Sequence, residues 1–379
     1  MLANLQALRA LAALGVVFYH TDHRLFDGIH TDLNGVSIFF VISGFIMCYV
    51  TRNDPSRFFE KRLIRIVPLY WFATATVVVL NTYGLTNPVV TLPAMFGNGL
   101  SSLQSWIVGC SRAFLDGELW LRVLKSLFFI PLPPGEYPVI GVGWTLNLEM
   151  FFYFVFGVAL LVTRTWAPVA ACAVLLAMKS EAVAAACGPV CAFYAHDYTY
   201  FFVLGVGLYY VWTCTEGLNA AHRGWVGPMA GAVLAGALLA TVAAESPAVR
   251  GIAGPVLPHA HYLLPVLVVL SALLLERVGL GTRSRLVLAA GAASYALYLI
   301  HPSVVLTLQV LGETWPAVHP KGSLAAALLA VAVSLGFAFL LHYGFDEPVK
   351  RLLKRSLRVR RDPARGGVVA AASQPSAAS

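Results

Sequence analysis

The sequence predicts an all-α integral membrane protein, a bundle of about ten transmembrane helices with both termini in the cytoplasm. Three observations carry this. Of the 379 residues, 59% are hydrophobic and only 12% charged, about half the charged share of a soluble domain. Mean hydropathy is +0.75. Apolar runs of spanning length recur along the chain, and a span needs about 20 mainly apolar residues.

The runs fall at 4–21, 33–51, 66–83, 142–163, 166–179, 198–213, 225–243, 260–276, 286–311 and 322–345. The fifth is the shortest. The first lacks a basic leader and a small-residue cleavage site, so it reads as a retained span rather than a signal peptide. The spans set a membrane domain at 1–350 and a basic, small-residue-rich tail at 351–379, expected to be disordered. No internal repeat is evident.

The net charge of +8 is unevenly placed. Basic residues gather in Arg52–Arg65, in Arg277–Arg285 and from Lys350 onward, each beside an apolar run. That is the signature of cytoplasmic helix ends, not of nucleic-acid binding. With the N-terminus inside, all three clusters face the cytoplasm, and ten spans return the C-terminus to the same side. The longest connection, from Gly84 to Gly141, then lies outside. Within it, Glu118–Ile130 has apolar residues at near-helical spacing and reads as an interfacial helix. The six cysteines form no CxxC pair; Cys187 and Cys191 read as small buried residues. Histidines and carboxylates lack metal-ligand spacing.

A few ionisable residues interrupt the apolar runs. Arg9 and His20 are eleven positions apart, about 1100° of helix rotation, so they share a face some 16 Å apart along the axis. Arginine facing lipid is costly, so this face is expected to line an internal cavity. The plain alternatives are a snorkelling arginine and a headgroup histidine. Arg62 and Arg65, at i and i+3, point one way from a helix entering the membrane. They fit a bidentate phosphate grip, or simple positive-inside anchoring. Glu149 sits about 10 Å inside the fourth span, a candidate partner for His20 or half of a packing ion pair. Ser43 and Gly44 read as close helix packing, His301 as a satisfied core histidine rather than a second cavity group, and Asp346 and Glu347 as a local salt-bridge cluster beside the basic tail. His259 and His261 carry too thin a signal to use.

Taken in order, these segments resemble the membrane-bound acyltransferase-3 family. The similarity runs from LQALRALAALGVVFYH through GVSIFFVISGFIM, KRLIRIVPLYW, GWTLNLEMFFY and SYALYLIHPSVV to HYGFDEPVKR, nearly the whole chain. The N-terminal block looks most like the exopolysaccharide O-acyltransferase subgroup. The resemblance implies transfer of an acyl group, often acetyl, from cytoplasmic acyl-CoA to a hydroxyl of a carbohydrate acceptor. It also implies a multi-pass protein of a bacterial-type inner membrane, near polysaccharide assembly machinery, with no metal cofactor. No gap between spans holds a soluble domain, so transfer is expected within the membrane domain or with a partner.

On this reading His20 is the base that takes the acceptor proton, with Glu149 orienting it. Arg62 and Arg65 hold CoA phosphates, and Arg9 lies along the donor path. An acyl-histidine relay stays open. A polysaccharide-precursor transporter or flippase would place the same groups in the membrane as a proton relay. Against it, no pair of broken helices recurs in matching halves. An export scaffold without catalysis is the remaining alternative.

Overall fold

A computed structural model describes residues 2–21, 23, 32–84, 91, 95–97, 99–183, 188–246, 249, 257–314 and 322–361. Among them all regular structure is helical. The helices are α1 (Ala3–Tyr19), α2 (Gly35–Thr51), α3 (Phe58–Thr82), α4 (Leu100–Phe114), α5 (Gly117–Leu127), α6 (Gly143–Val162) and α7 (Ala167–Ala177). There follow α8 (Pro189–Tyr194), α9 (Tyr198–Cys214), α10 (Arg223–Ala244), α11 (Leu257–Arg277), α12 (Arg285–Thr314), α13 (Leu324–Leu341) and, after a π-turn over His342–Asp346, α14 (Glu347–Arg361).

Each of the ten expected apolar runs coincides with a helix. Six helical stretches are long and apolar enough to cross a bilayer: Phe58–Thr82, Gly143–Val162, Ala220–Ala244, Ala260–Arg277, Arg285–Glu313 and Leu324–Leu357. α1, α2 and α7 are apolar but shorter. α7 has 11 residues, a rise of about 16 Å, roughly half the hydrocarbon thickness. In the long connection, α5 forms where an amphipathic helix was expected, capped by Asp116, which accepts from the Glu118 N–H at 3.0 Å. α4 beside it was not anticipated. The basic segment Arg351–Arg361 belongs to α14, so this part of the expected disordered tail is helical. Residues 362–379 lie outside the described residues, as does Cys187. Cys191 is disulfide-bonded, which corrects its reading as a plain buried thiol.

Helix ends pair as an up-and-down bundle requires. At one end, Glu276 of α11 accepts from the backbone N–H groups of Ala3 and Asn4, at 3.0 and 2.7 Å. It thus satisfies two of the N–H groups that α1 leaves open. Arg52 meets Glu216 at 2.7 Å, and the Arg277 guanidinium lies 3.5 Å from the Trp212 ring centroid. These groups come from the start of α1 and the ends of α2, α9 and α11. At the opposite end, Lys179 reaches Asp197 at 2.7 Å, and the Trp71 indole N–H donates to the Leu127 carbonyl at 2.9 Å.

Two close helix approaches fix the centre. A Cβ on Gly44 would fall 2.2 Å from the Phe202 carbonyl oxygen, and one on Gly205 would fall 2.2 Å from that of Val41. α2 and α9 therefore touch backbone to backbone, which only small residues permit. Likewise a Cβ on Gly291 of α12 would fall 2.2 Å from the Gln6 carbonyl oxygen of α1. Aromatic side chains fill the space around these contacts, with Phe45, Phe152, Phe156, Phe201 and Phe202 fully buried. Leu161, Val162, Leu239 and Leu340 stand exposed on the outside, as lipid-facing residues do.

Candidate active site

α1, α2, α3, α6 and α12 enclose a cavity of about 930 Å³, its open mouth included. Arg9, Arg62, Arg65 and Glu149 all line it. These four candidates, from three different helices, thus share one chamber. Leu2 at the start of α1 marks one end of the lining, and Thr145 and Tyr298 lie toward the other. The lining thus runs from the end of the bundle that carries the basic connections toward the opposite end.

Arg9 is buried, and its Nη1 donates to Gln6 Oε1 at 3.2 Å, one turn back. Arg62 is also buried. Its guanidinium carbon lies 5.8 Å from the Phe58 ring centroid and 5.6 Å from that of Tyr153, and its Nε has no partner. No carboxylate comes within ion-pairing distance of Arg9, Arg62 or Arg65 among the described residues. Glu149 is held instead by two hydroxyls: Ser43 donates to its Oε1 at 3.1 Å, and Tyr153 donates to the same oxygen. Three arginines against one carboxylate leave a formal charge of +2 in a mostly apolar chamber. Buried charge is sustained only when paired, so the chamber suits an anionic ligand.

His20 does not line this cavity, and this corrects the expected contact with Glu149. It sits exposed at the C-terminal end of α1, where its Nδ1 lies 2.8 Å from the Val16 carbonyl oxygen. A carbonyl can only accept, so Nδ1 carries the hydrogen and Nε2 is the basic nitrogen. The orienting group is thus the helix's own backbone, not a carboxylate. The neighbour of the His20 ring is His301 of α12, with centroids 4.9 Å apart and planes at 65°. His301 is fully buried, with Nδ1 3.2 Å from the Leu297 carbonyl oxygen. Its Nε2 has no partner, so it is buried as expected but only half satisfied.

Tyr298 stands between the two regions. It lines the cavity, its hydroxyl is 2.9 Å from Thr145 Oγ1, and its ring centroid lies 5.9 Å from that of His301. Tyr298, Tyr295 and Ser294 were not singled out from sequence. Ser43 had a signal, a hydroxyl beside Gly44 in an otherwise apolar helix, but it read as packing. Below the cavity, the Asp346 carboxylate lies 3.0 Å from His342 Nδ1 and 2.6 Å from Lys350 Nζ, the expected local cluster. His342, Asp346 and Glu347 bring potential ligand atoms within 4.8 Å of one another. The Lys350 ammonium already places a cation on Asp346.

The fold is a bundle of apolar helices around a charged internal cavity, and comparison with known proteins gives the family and its class, an acyltransferase. Residues 2–343 match the family model described as an acyltransferase domain; the chain belongs to the acyltransferase-3 family. It is 30% identical over 318 residues to the exopolysaccharide production protein ExoZ of Rhizobium meliloti, covering 81% of this chain and 87% of that one. Nodulation protein 10 of Rhizobium leguminosarum bv. viciae is 28% identical, with 87% and 91% covered. Acyltransferase MdmB of Streptomyces mycarofaciens is 26% identical, with 96% of each chain covered. No solved structure matches.

Proposed function

We propose that this enzyme is an O-acyltransferase that moves an acyl group, acetyl in the simplest case, from cytoplasmic acyl-CoA to a carbohydrate hydroxyl. The acceptor is an exopolysaccharide or its lipid-linked precursor, as the likeness to ExoZ suggests. The observation that carries the donor assignment is the set of three cavity arginines without a carboxylate partner. CoA brings a pyrophosphate and a further phosphate, and arginine binds such groups bidentately. Arg62 and Arg65 take phosphates at the mouth. Arg9, deeper on α1, lies along the pantetheine path and stabilises negative charge there.

His20 Nε2 takes the proton of the acceptor hydroxyl as its oxygen bonds to the acyl carbon and the carbon–sulfur bond breaks. The proton then passes to the leaving CoA thiolate, so acceptor and acyl-CoA become ester and CoA. Glu149, bonded by Ser43 and Tyr153, tempers the positive charge of the donor chamber.

The protein lies in a bacterial-type inner membrane, N- and C-termini inside, with residues 1–350 as the membrane unit and 351–379 as a basic cytoplasmic tail. Two features favour this orientation. The basic helix ends share one side, and disulfide-bonded Cys191 lies toward the other, where oxidising conditions allow such bonds.

The test is purified protein in nanodiscs with radiolabelled acetyl-CoA and a panel of saccharides, following CoA release and label transfer beside His20→Ala. His20-dependent transfer is the expected result. Folded protein that binds no CoA would overturn the donor assignment and favour transport of a polysaccharide precursor.

A further inference from the structure

We propose that Trp144, His196 and Tyr198 form a carbohydrate-binding surface at the outer end of the bundle, which seats a pyranose ring of the acceptor beside the donor chamber. The proposal deepens the O-acyltransferase reading and rests on it for the class of ligand. Trp144 belongs to the first turn of α6, Tyr198 opens α9, and His196 lies in the connection just before it. The Trp144 ring centroid lies 5.3 Å from that of His196 and 5.6 Å from that of Tyr198. His196 and Tyr198 stack at 5.1 Å, their planes 14° apart. Interfacial tryptophans commonly face lipid, and Trp71, Trp120, Trp166 and Trp225 stand exposed in that way. Trp144 instead is half-buried against other rings, and the exposed His196 gives the cluster an open side.

Rings alone would be a packing cluster; the unspent polar groups among them point to a ligand. Among the described residues, no hydrogen bond engages the Trp144 indole N–H or the Tyr198 hydroxyl. His196 Nδ1 accepts from the Tyr198 backbone N–H at 3.3 Å, so in the neutral ring Nε2 is the donor. Asp197, between the two rings in sequence, keeps a mostly exposed carboxylate bonded to Lys179 at 2.7 Å. One turn along α6 from Trp144, on the same face, lies Asn147. Phe151, a further turn on, stacks against Tyr194 at 4.1 Å, so this face of α6 looks toward α8 and α9. Asn147 is buried, and neither its amide nitrogen nor its amide oxygen has a partner, a costly condition. Helical side chains lean toward the N-terminus of their helix, so the Asn147 amide leans toward the Trp144 turn.

A sugar ring matches this combination. It offers a C–H face to aromatic rings, and its hydroxyls both donate and accept. A lipid tail would cover the rings and leave the polar groups unmet. Position supports the same occupant. The Tyr198 ring centroid lies 5.3 Å from that of Phe40, and Trp144 directly precedes Thr145; Phe40 and Thr145 both line the donor chamber. Tyr19, the neighbour of His20 in sequence, is close enough to Tyr198 to act on it electrostatically. A ring seated on this surface therefore lies between the chamber that takes the donor and the end of α1 that carries His20.

The experiment is NMR saturation transfer on the full chain in nanodiscs, with empty nanodiscs as the blank. The probes are the methyl glycosides of β-D-glucopyranose, β-D-galactopyranose and α-L-rhamnopyranose. Aromatic protons are irradiated, and CoA affinity is measured alongside. In wild type, saturation is expected to reach the C–H protons on one face of at least one of these sugars. Trp144→Leu is expected to weaken that binding about tenfold. Tyr198→Phe keeps the ring and removes the unspent hydroxyl, a loss of about threefold; it decides the matter if Trp144→Leu does not fold. Trp225→Leu, an exposed tryptophan on α10, leaves sugar binding unchanged, and all three variants keep wild-type CoA affinity. No saturation on any of the sugars in wild type overturns the proposal, as do folded Trp144 and Tyr198 variants that bind sugar like wild type. Sugar binding that depends on Trp144 in a protein that binds no CoA would sink the acyl-CoA reading and leave the surface standing.

Discussion

Replacing Arg62 with methionine should move stability and ligand affinity in opposite directions. Arg62 is 7% exposed, its Nε is unpartnered, and its described contacts are the faces of Phe58 and Tyr153. Losing those faces costs about 0.5–2 kcal/mol. Removing a buried charge that lacks a carboxylate returns a desolvation cost of several kcal/mol. The empty variant should therefore be at least as stable as wild type. Binding of CoA should suffer: a charge-assisted hydrogen bond is worth about 1.5–3 kcal/mol, roughly a 10- to 150-fold loss of affinity. The assay is thermal unfolding in nanodiscs with and without CoA. At a CoA concentration 100 times the wild-type Kd, wild type gains about 2.7 kcal/mol, whereas a variant weakened 100-fold gains only about 0.4 kcal/mol. If Arg62→Met lowered the melting temperature of the empty protein and kept the full CoA-induced shift, Arg62 would be an anchor and the phosphate-grip argument would fail.

Three further outcomes follow from the same geometry. Glu149→Gln raises the formal cavity charge by one and should tighten CoA about fivefold; were Glu149 an orienting partner of His20, equilibrium binding would stay fixed and turnover alone would fall. Gly44→Ala drives a Cβ to within 2.2 Å of a backbone oxygen that cannot rotate aside, so it should destabilise by about 1–3 kcal/mol. Gly207→Ala on α9 meets open space and serves as the unharmed control, both read by melting temperature. In the turn between α2 and α3, the Lys61 ammonium at 2.5 Å and then the Ser56 hydroxyl hold the Asp54 carboxyl down to about 2. Because its folded value lies below its unfolded value, the Asp54–Lys61 pair is intact above about pH 4 and is lost as pH falls through about 2. A carboxyl-carbon NMR titration of Asp54 with its midpoint near 4 would contradict this.

What the sequence made legible was the content of each helix, and what it hid was which helices meet. Arg9 is legible as a cavity residue because lipid excludes it whatever its neighbours are. Arg62 and Arg65 were less so, because positive-inside anchoring explains them equally well from sequence; the chamber they share with Arg9 is visible only in the fold. Eleven-residue spacing put Arg9 and His20 on one face of an ideal helix. It could not say that His20 falls outside the lining of the chamber, where Tyr298 of α12 and Thr145 of α6 are bonded to each other. The Glu149–His20 contact failed on this point: both lie in polar interruptions, but Glu149 turns to Ser43 and Tyr153. The contact that replaces it depends on a glycine. Gly291 lets α12 lie against the Gln6 carbonyl of α1. From there both helices run the same way, as the contact between His20 at the end of α1 and His301 midway along α12 shows. A larger residue at Gly291 would push the helices apart at one end and swing His301 off His20 at the other. The second histidine is therefore specified by a residue ten positions before it that carries no chemistry of its own, and no scan for titratable groups would have chosen it.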